Sequence, residues 1–385
     1  MKTTLDNNIL TVYLGGEINS YNADNIEKEI QETISKQSFE KLVLDFSSVS
    51  YISSAGLRII LKLKQQYNNF SVIETSLEVY DIFNMTGFTN IMDIKKGLKR
   101  VYLSGAEVIG DGYYSTVYRV DKDTIIKVFN RVSDPEQIER ELKLAKEAFI
   151  LGIPTAISFD IVKVDDDKLG VRFEMLDCES LKNMVIKYPD RMGEFLDKYA
   201  ALLKKMNTTE CFNPAIPDMK AHYLRKLEKI KQFLPKEVNQ KLLKMFNAIP
   251  DRRTLIHGDC HFKNIMVQKD ELLLIDMDTL SVGHPIFELA ALCATYTIFN
   301  EDEPDNSEKF FGIKKDDATK LYNELLGYYF GKEDDVVKEK IRLVAHIHMV
   351  WWTLTNQPEN KVRIKGCKER LYKLLDQFDE LEIGI

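Results

Sequence analysis

The sequence of 385 residues has few of the features that mark secreted, membrane-spanning or nucleic-acid-binding proteins. It has five cysteines, an odd number with no C-x-x-C pair, and no signal peptide, so we expect no disulfide framework. The most apolar stretches, such as residues 284–299, are too short and interrupted to span a bilayer. The net charge of −7 argues against a nucleic-acid-binding surface. We therefore expect a cytoplasmic protein with no membrane and no nucleic-acid partner.

The composition is that of an ordinary folded protein, with 44% apolar and 29% charged residues. No internal repeat or low-complexity segment interrupts it. The chain is longer than a single hydrophobic core usually organises, so two or three domains are expected.

Strands and helices alternate in the first hundred residues. A helical period through Ile26, Ile30 and Ile34 predicts a helix capped by Ser20 or Asn22. Near-continuous apolar residues predict a buried strand. The predicted strands are 9–14, 41–52, 70–75 and 91–94, and two more helices are predicted within 53–69 and 76–88. This order favours a small α/β sandwich.

The pattern changes after the charged segment 95–100, which we take as the domain boundary, with domains 1–98 and 99–385. Residues 102–129 predict three antiparallel strands, and Pro135 marks the first turn of the helix that follows. Two more strands are expected within 155–176. The chain beyond residue 180 is predicted to be largely helical.

The segment LVLDFSSVSYISSAGLRIILKL resembles the STAS domain of bacterial anti-sigma-factor antagonists, and the likeness covers residues 1–98. The resemblance implies a module that binds partner proteins, often switched by phosphorylation of a serine where a helix follows the central strand. Ala55 occupies that position here, so Ser53 and Ser54 are the remaining candidate regulatory residues. A helix cap is the alternative role for these serines.

A glycine loop and a lysine precede the helical part of the second domain. Gly110 and Gly112 lie between two predicted strands, where a phosphate-covering loop would lie, and Ser115 replaces the third glycine of G-x-G-x-x-G. The next strand contains Lys127 among apolar residues, where an unpaired ammonium is costly. Glu141 on the following helix is the expected partner, with Glu139 and Glu147 as alternatives.

The segment HGDCHFKN, residues 257–264, contains the residue types of either a zinc site or a phosphoryl-transfer loop. Its His and Cys spacing does not match structural zinc sites, and no second cluster exists elsewhere in the sequence. Phosphoryl transfer needs a carboxylate near the acceptor hydroxyl and oxygen ligands for magnesium. Asp259 suits the first role, and Asn264 with Asp276 suits the second.

Residues 101–385 resemble the aminoglycoside phosphotransferase and choline kinase superfamily through HGDxHxxN, IDxD and the elements before them. The resemblance implies a bilobal protein-kinase-like domain, with an N-lobe of about 101–176 and a C-lobe of about 177–385. The overall expectation is thus a STAS-type α/β sandwich followed by an α+β kinase-like domain.

The resemblance also implies a mechanism: the γ-phosphoryl of ATP or GTP passes to a hydroxyl of a small molecule. It assigns the catalytic residues Asp259, Asn264 and Asp276, the magnesium ligands Asn264 and Asp276, and nucleotide binding at Gly110, Gly112, Ser115, Lys127, Glu141, Glu174 and Leu176.

Several roles stay open at this point. Asp278 could bind metal or substrate or brace a turn, whereas Glu288 could start a helix or brace a loop. Trp351 and Trp352 could hold a cationic acceptor or pack in the core. Two other functions remain possible: a regulatory kinase that phosphorylates a protein such as a STAS domain at Ser54, and a non-catalytic nucleotide-sensing scaffold.

Overall fold

A computed structural model describes residues 1–112, 115–130, 134–165 and 168–384. The chain divides into two compact units. The first comprises residues 1–102 and 162–167, and the second comprises residues 103–161 and the chain from 168 onward. Each contains its own apolar core.

The first unit is a five-stranded sheet with three helices. Its strands follow one another in sequence order; the first pair is antiparallel and the other pairs are parallel. The elements are β1 (Lys2–Asp6), β2 (Ile9–Ile18), α1 (Ala23–Ile34), β3 (Lys41–Ile52), α2 (Ser54–Gln66), β4 (Phe70–Thr75), α3 (Leu77–Met85), β5 (Asp93–Lys96) and β6 (Lys99–Val101). The last of these strands pairs in parallel with Val162–Val164.

The central strand β3 is buried over Leu42–Phe46, as its continuous apolar run predicts. Strand β1 is absent from our sequence-based prediction. It forms a hairpin with β2 through Asn7 and Asn8, whose φ angles of 46° and 63° suit the tight turns that asparagine tolerates. The Asn-Asn pair was therefore the signal for the missed strand.

Helix α2 begins directly after β3, at the two candidate serines. Ser53 is the N-cap and its side chain accepts a hydrogen bond from the N–H of Gly56, whereas Ser54 is the exposed first residue. A Cβ on Gly56 would stand 2.7 Å from side-chain atoms of both Ile18 and Ile52, so glycine lets the helix approach the sheet.

The second unit begins with a sheet whose strands lie in the order β10-β11-β9-β8-β7. Strands β7 to β9 form the predicted antiparallel meander. A helix, α4, packs Ile138 against Phe129 and Val171 of this sheet. The ranges are β7 (Glu107–Asp111), β8 (Ser115–Arg119), β9 (Thr124–Phe129), α4 (Pro135–Ile150), β10 (Ser158–Val164) and β11 (Lys168–Glu174).

The remainder of the second unit is mainly helical, with three strand pairings that build the candidate site. Strand β12 pairs with β14, β14 with β15, and β13 with β16, all antiparallel. The elements are β12 (Glu179–Ser180), α5 (Leu181–Lys187), α6 (Met192–Thr208), α7 (Met219–Ile230), α8 (Lys236–Ala248), β13 (Leu255–Ile256), β14 (Ile265–Gln268), β15 (Glu271–Leu274), β16 (Ser281–Val282), α9 (Ile286–Cys293), α10 (Phe299–Asp302), α11 (Asn306–Phe311), α12 (Lys315–Phe330), α13 (Asp335–Asn356) and α14 (Lys361–Leu375).

The helices pack around a single large apolar cluster. A π-helical segment, Ala294–Ile298, joins α9 to α10. Within the described ranges, no helix combines the length and apolarity needed to cross a membrane.

Candidate active site

The segment 257–264 is a loop between β13 and β14, and backbone hydrogen bonds fold it back on itself. The N–H of Asn264 donates to the carbonyl of His261 at 2.8 Å. The N–H of Ile275 donates to the carbonyl of Asn264 at 3.0 Å, which brings the end of β15 against the loop. Asp276 therefore lies close to Asn264, although it follows Asn264 by twelve positions in the sequence.

The start of the loop is held by a buried carboxylate. Glu288 on α9 is fully buried and accepts hydrogen bonds from the N–H groups of His257, at 2.6 Å, and Gly258, at 3.3 Å. Gly258 has φ of +83°, and a Cβ there would stand 3.2 Å from Met219 Cε and from the carbonyl oxygen of Thr279. The predicted bracing role of Glu288 is confirmed.

The His and Cys side chains of the loop serve its structure. The two ring nitrogens of His257 contact the carbonyl of Ile275 and the N–H of Asp259, both on the backbone. Cys260 is buried, and the ring of His261 lies edge-on to Phe310 and Phe311. In the described part of the chain, no group of three or more His, Cys, Asp or Glu side chains has the arrangement of a metal site.

Asp259 and Asn264 form a hydrogen-bonded pair. The amide nitrogen of Asn264 donates to the Asp259 backbone carbonyl at 2.9 Å and to its carboxylate at 3.2 Å. Burial raises the pKa of Asp259 to about 6, and His257, Lys263 and the amide of Asn264 partly oppose that shift. The carboxylate nevertheless keeps 45% of its surface exposed, so a small molecule can reach it.

Lys127 on β9 contacts two carboxylates. Its Nζ lies 2.7 Å from Glu141 Oε1 on α4 and 2.6 Å from Asp276 Oδ1. Burial alone would lower the pKa of this lysine, but the carboxylates of Asp276 and Glu141 outweigh that effect and raise it above its ordinary value. The ammonium therefore stays charged at neutral pH, with the partner that the sequence predicts.

Oxygen ligands meet next to this pair. Asp276 has φ of +65°, an uncommon conformation for a residue other than glycine, and only one of its two carboxylate oxygens contacts Lys127. Within the described ranges, the side-chain oxygen of Asn264 accepts no hydrogen bond. Burial and the nearby carboxylate of Asp276 raise the pKa of Asp278 to about 7. Such carboxylate and amide oxygens suit a hard cation such as Mg²⁺ better than they suit zinc, which favours Cys and His ligands.

The predicted nucleotide-binding segments lie on the sheet of the second unit. Gly110 pairs with Val117 across β7 and β8, and the N–H of Gly112 donates to the carbonyl of Ser115 at 2.9 Å. Tyr113 and Tyr114 lie outside the described residues. The loop is thus the turn of a hairpin, as predicted.

The predicted nucleotide-binding residues Glu174 and Leu176 lie at the end of β11 and just after it. The N–H of Glu174 donates to the carbonyl of Ile157 at 2.9 Å, and the carboxylate of Glu174 accepts from the N–H of Ile157 at 2.7 Å. In the part of the chain that the structure describes, neither the N–H nor the carbonyl of Leu176 forms a hydrogen bond. Leu176 therefore offers a free donor and acceptor to a base.

The two tryptophans are occupied by the protein's own cations. Lys226 Nζ lies 4.6 Å from the ring centroid of Trp351, and the guanidinium of Arg363 lies 5.1 Å from that of Trp352. Both rings also pack against the large core. The core-packing alternative fits this arrangement, and a cation-binding role for the two rings does not.

The sequence did not identify several residues that contact the loop. The hydroxyl of Tyr199 donates to the carbonyl of Cys260, and the hydroxyl of Tyr296 accepts from the N–H of Phe262 at 2.9 Å. The N–H of Lys182 donates to the carbonyl of Phe262 at 3.2 Å. Nothing local in the sequence marks Tyr199, Tyr296 and Lys182, since each lies more than 30 residues from the loop.

Comparisons with known proteins agree with this architecture. A model of the phosphotransferase enzyme family matches residues 105–312, and a STAS domain model matches residues 1–101. A Bordetella bronchiseptica protein named as an anti-sigma factor antagonist is 34% identical over 100 residues, which cover 24% of this chain and 85% of that protein.

Solved structures are similar at lower identity. A choline/ethanolamine kinase family protein from Mesorhizobium loti has 15% identity and a TM-score of 0.46, covering 70% of this chain and 91% of its own. The GDP complex of an aminoglycoside 2'-phosphotransferase-IIIa has 15% identity and a TM-score of 0.45, covering 77% of this chain and 98% of its own.

The predicted fold class is confirmed by the two family models, which place a STAS-type α/β region before a kinase-like one. The first model matches more than half of the chain. The chain therefore belongs to the phosphotransferase enzyme family, and it carries a STAS domain at its N-terminal end.

Proposed function

We propose that this protein transfers the γ-phosphoryl group of ATP or GTP to a hydroxyl group of a small molecule. The observation that carries the proposal is the grouping of Asp259, Asn264 and Asp276 next to the Lys127–Glu141 ion pair. A reachable carboxylate, an oxygen-rich pair and a buried ammonium are the parts that phosphoryl transfer requires.

Asp259 acts as the base in this proposal. Its carboxylate accepts the proton of the acceptor hydroxyl while that oxygen attacks the γ-phosphorus, and the bond to the bridging oxygen of the nucleoside diphosphate breaks. Its raised pKa of about 6 leaves the carboxylate ionised at neutral pH yet basic enough to take a proton. The amide of Asn264 holds the carboxylate in position.

Lys127 binds nucleotide phosphates, with Glu141 fixing its ammonium. The free backbone groups of Leu176 pair with the edge of the base, and the hairpin at Gly110, Gly112 and Ser115 covers the phosphates. The preference of the protein for adenine or guanine would depend on the same backbone groups of Leu176.

Two oxygens would hold Mg²⁺: the side-chain oxygen of Asn264, which accepts no hydrogen bond in the described residues, and the carboxylate oxygen of Asp276 that does not contact Lys127. Bound there, the ion would neutralise charge on the transferring phosphoryl group. Asp276 also contacts Lys127, so this side chain links the lysine to the metal site. Asp278 stands next to Asp276 and is a further candidate oxygen ligand.

The test is nucleotide turnover with Mg²⁺ over a panel of sugars, hydroxy acids, amino alcohols and aminoglycosides. We expect Asp259→Asn and Asp276→Asn each to reduce turnover by at least a hundredfold. Asp190→Asn removes an exposed carboxylate elsewhere in the second unit and serves as the matched control. Turnover that survives in both variants would overturn the assignment.

For the first unit we propose a protein-interaction role. For the whole protein we propose a cytoplasmic location, because the five cysteines, all in the second unit, are free and would stay reduced there. Ser54 is the better candidate for phosphorylation, since its side chain is exposed whereas that of Ser53 is used as a helix cap. A phosphate on Ser54 would add about two negative charges at a helix N-terminus. Mass spectrometry of the protein purified from its own cells checks for that phosphate.

A protein acceptor is the second candidate function, and the exposed hydroxyl of Ser54 is the observation that favours it. Incubation with labelled nucleotide and a separate STAS domain, followed by mapping of the label, separates this candidate from a small-molecule kinase. Binding of Mg²⁺ and nucleotide without transfer to any acceptor would instead indicate a sensing scaffold.

A further inference from the structure

The loop 257–264 is held by buried side chains on both sides of Asp259. Before Asp259, the carboxylate of Glu288 accepts hydrogen bonds from two backbone N–H groups. After it, the hydroxyl of Tyr199 donates to the backbone carbonyl of the next residue. The hydroxyl of Tyr296 accepts from the backbone N–H two positions further on, at 2.9 Å. The candidate base is therefore the residue between two sets of fixed backbone groups.

The two tyrosines and Phe262 of the loop form one buried group. Both tyrosine side chains are fully buried, and the ring centroid of Phe262 lies 5.7 Å from that of Tyr199 and 5.4 Å from that of Tyr296. Burial raises the pKa of both tyrosines well above the ordinary value, and the hydroxyl of each also affects the pKa of the other. Both hydroxyls therefore stay protonated at physiological pH. We call Tyr199 and Tyr296 the tyrosine pair.

Tyr296 reaches the loop from an irregular part of its helix. It lies in the π-helical segment Ala294–Ile298, between α9 and α10. A π-helical turn is rare in proteins and occurs frequently at functional sites. The ring of Tyr296 stacks on that of Phe311, with centroids 5.0 Å apart, which fixes the direction of its hydroxyl. The irregular turn thus places a buried hydroxyl within hydrogen-bond distance of the loop backbone.

Packing alone does not explain the two hydroxyls. A phenylalanine at either position would fill the same space but leave a buried N–H or carbonyl of the loop with one hydrogen bond fewer. A third tyrosine of the same core provides a contrast. The ring of Tyr322 stacks on that of Tyr296, with centroids 6.4 Å apart, but its hydroxyl donates to the carbonyl of Leu289 within α9 at 2.9 Å. Of these three buried tyrosines, the tyrosine pair bonds to the loop and Tyr322 bonds to a helix.

We propose that the tyrosine pair positions the candidate base: the two hydroxyls fix the backbone after Asp259, so that its carboxylate faces the acceptor hydroxyl at the reacting distance. This inference rests on the proposed phosphotransferase function and adds two positioning residues to it. Displacement of a reacting group by about 1 Å can lower a rate roughly a hundredfold. Because both hydroxyls are buried against the loop, their loss should act on kcat and not on substrate binding.

The first experiment measures steady-state kinetics of Tyr199→Phe and Tyr296→Phe, with Tyr322→Phe as the matched control. The acceptor is the compound of the panel above that the unmodified protein turns over fastest. We expect kcat to fall roughly ten- to a hundredfold in each variant of the tyrosine pair, while KM for the nucleotide changes by less than about threefold. Tyr322→Phe also loses one buried hydrogen bond, so its melting temperature should fall by a similar amount, but its kcat should stay within about twofold.

The double variant tests whether the tyrosine pair acts as one unit. Both hydroxyls hold the same three-residue segment, so removal of the second should lower kcat by no more than about threefold beyond the larger single effect. Independent contributions would instead multiply. Hydrogen exchange of peptides that cover 257–264 should quicken at least tenfold in the variants of the tyrosine pair and stay unchanged in Tyr322→Phe.

The outcomes separate this inference from the proposed function. An equal loss of kcat in Tyr322→Phe, or a raised KM with unchanged kcat, overturns the inference and leaves the phosphotransferase function intact. If Tyr296→Phe does not fold, Tyr199→Phe carries the same comparison. If no compound of the panel is phosphorylated, the proposed function fails by that result, and hydrogen exchange decides whether the tyrosine pair holds the loop: unchanged exchange in 257–264 overturns the inference.

Discussion

Two turns of this protein follow a buried strand and contain a glycine, and they satisfy their backbone N–H groups in different ways. After β3, the hydroxyl of Ser53 accepts a hydrogen bond from the N–H of Gly56. After β13, the fully buried carboxylate of Glu288 accepts from His257 and Gly258. The first turn leaves the neighbouring hydroxyl of Ser54 exposed, whereas the second holds the start of the 257–264 loop by a buried carboxylate.

The largest effect on turnover and stability should come from removing the carboxylate that accepts the hydrogen bonds of the second turn. Glu288→Ala leaves two buried N–H groups without an acceptor, which costs about 3 kcal/mol or more, and it releases the loop that holds Asp259. We expect turnover to fall by over a hundredfold and the melting temperature by several degrees. Calorimetry and a nucleotide-turnover assay measure the two effects.

Glu288→Gln is the control, because its amide oxygen still accepts one of the two hydrogen bonds. Burial raises the pKa of Glu288 to about 7, so replacing the carboxyl by a neutral amide should cost less than its complete removal. Equal losses in the two variants would mean that packing around α9, and not the cap, holds the loop.

The sequence predicted the local elements well because strands and helices carry their own periodicity. The range 41–52 of β3 and the range 70–75 of β4 agree with the structure. The meander of β7 to β9 was also predicted from its turns. The missed strand β1 has one partner and little burial, so no apolar pattern distinguishes it.

The sequence predicted the site only where the residues that would carry the chemistry lie together in a short motif. Asp259 and Asn264 lie five residues apart, and their pairing follows from the loop. The contact between Lys127 and Asp276 spans 149 residues, and we had predicted only a glutamate partner for this lysine. Lys182 meets the loop through tertiary packing alone. The roles of these residues, the domain boundary and the lobe limits stay predictions.

The two glycines give the next largest effect. Gly258→Ala meets both an unfavourable φ of +83° and the backbone oxygen of Thr279 at 3.2 Å, and we expect a loss of about 2–3 kcal/mol together with reduced turnover. Gly56→Ala meets side-chain atoms of Ile18 and Ile52 at 2.7 Å and the backbone oxygen of Ile18 at 3.2 Å, and it should cost about 1–3 kcal/mol without direct effect on the loop. Hydrogen exchange of each turn measures the losses separately.

Gly152→Ala is the control for backbone strain. Its φ is +76°, but a Cβ there would have no atom within 4 Å. It should therefore cost only about 1–2 kcal/mol. A loss at Gly258 no greater than at Gly152 would contradict the idea that close packing by Thr279 and Met219 shapes the loop.

A pH profile should show a smaller effect. It tests the second turn alone, because Asp259 in that turn must be ionised for the proposed reaction. Burial raises the pKa of Asp259 to about 6, and a base works only in its ionised form. We expect kcat/KM to be level near pH 7–8 and to fall about tenfold per unit below pH 6. An acid limb centred near pH 4 would mean that Asp259 is not the group whose ionisation limits the reaction.

The smallest loss of stability is expected for substitutions of the two serines, and it distinguishes the helix cap Ser53 from Ser54, whose hydroxyl is exposed. Ser53→Ala removes the acceptor for the N–H of Gly56, but the hydrogen bond is long, at 3.5 Å, so the loss should be about 0.5–1 kcal/mol. Ser54→Ala should change stability by less than about 0.3 kcal/mol because that side chain caps nothing. Both tryptophans lie at 351 and 352, so fluorescence does not report on this turn, and hydrogen exchange of the first-turn amides of α2 is the suitable measurement. A larger loss at Ser54 than at Ser53 would reverse the roles and make Ser53 the residue that a kinase could modify without loosening the helix.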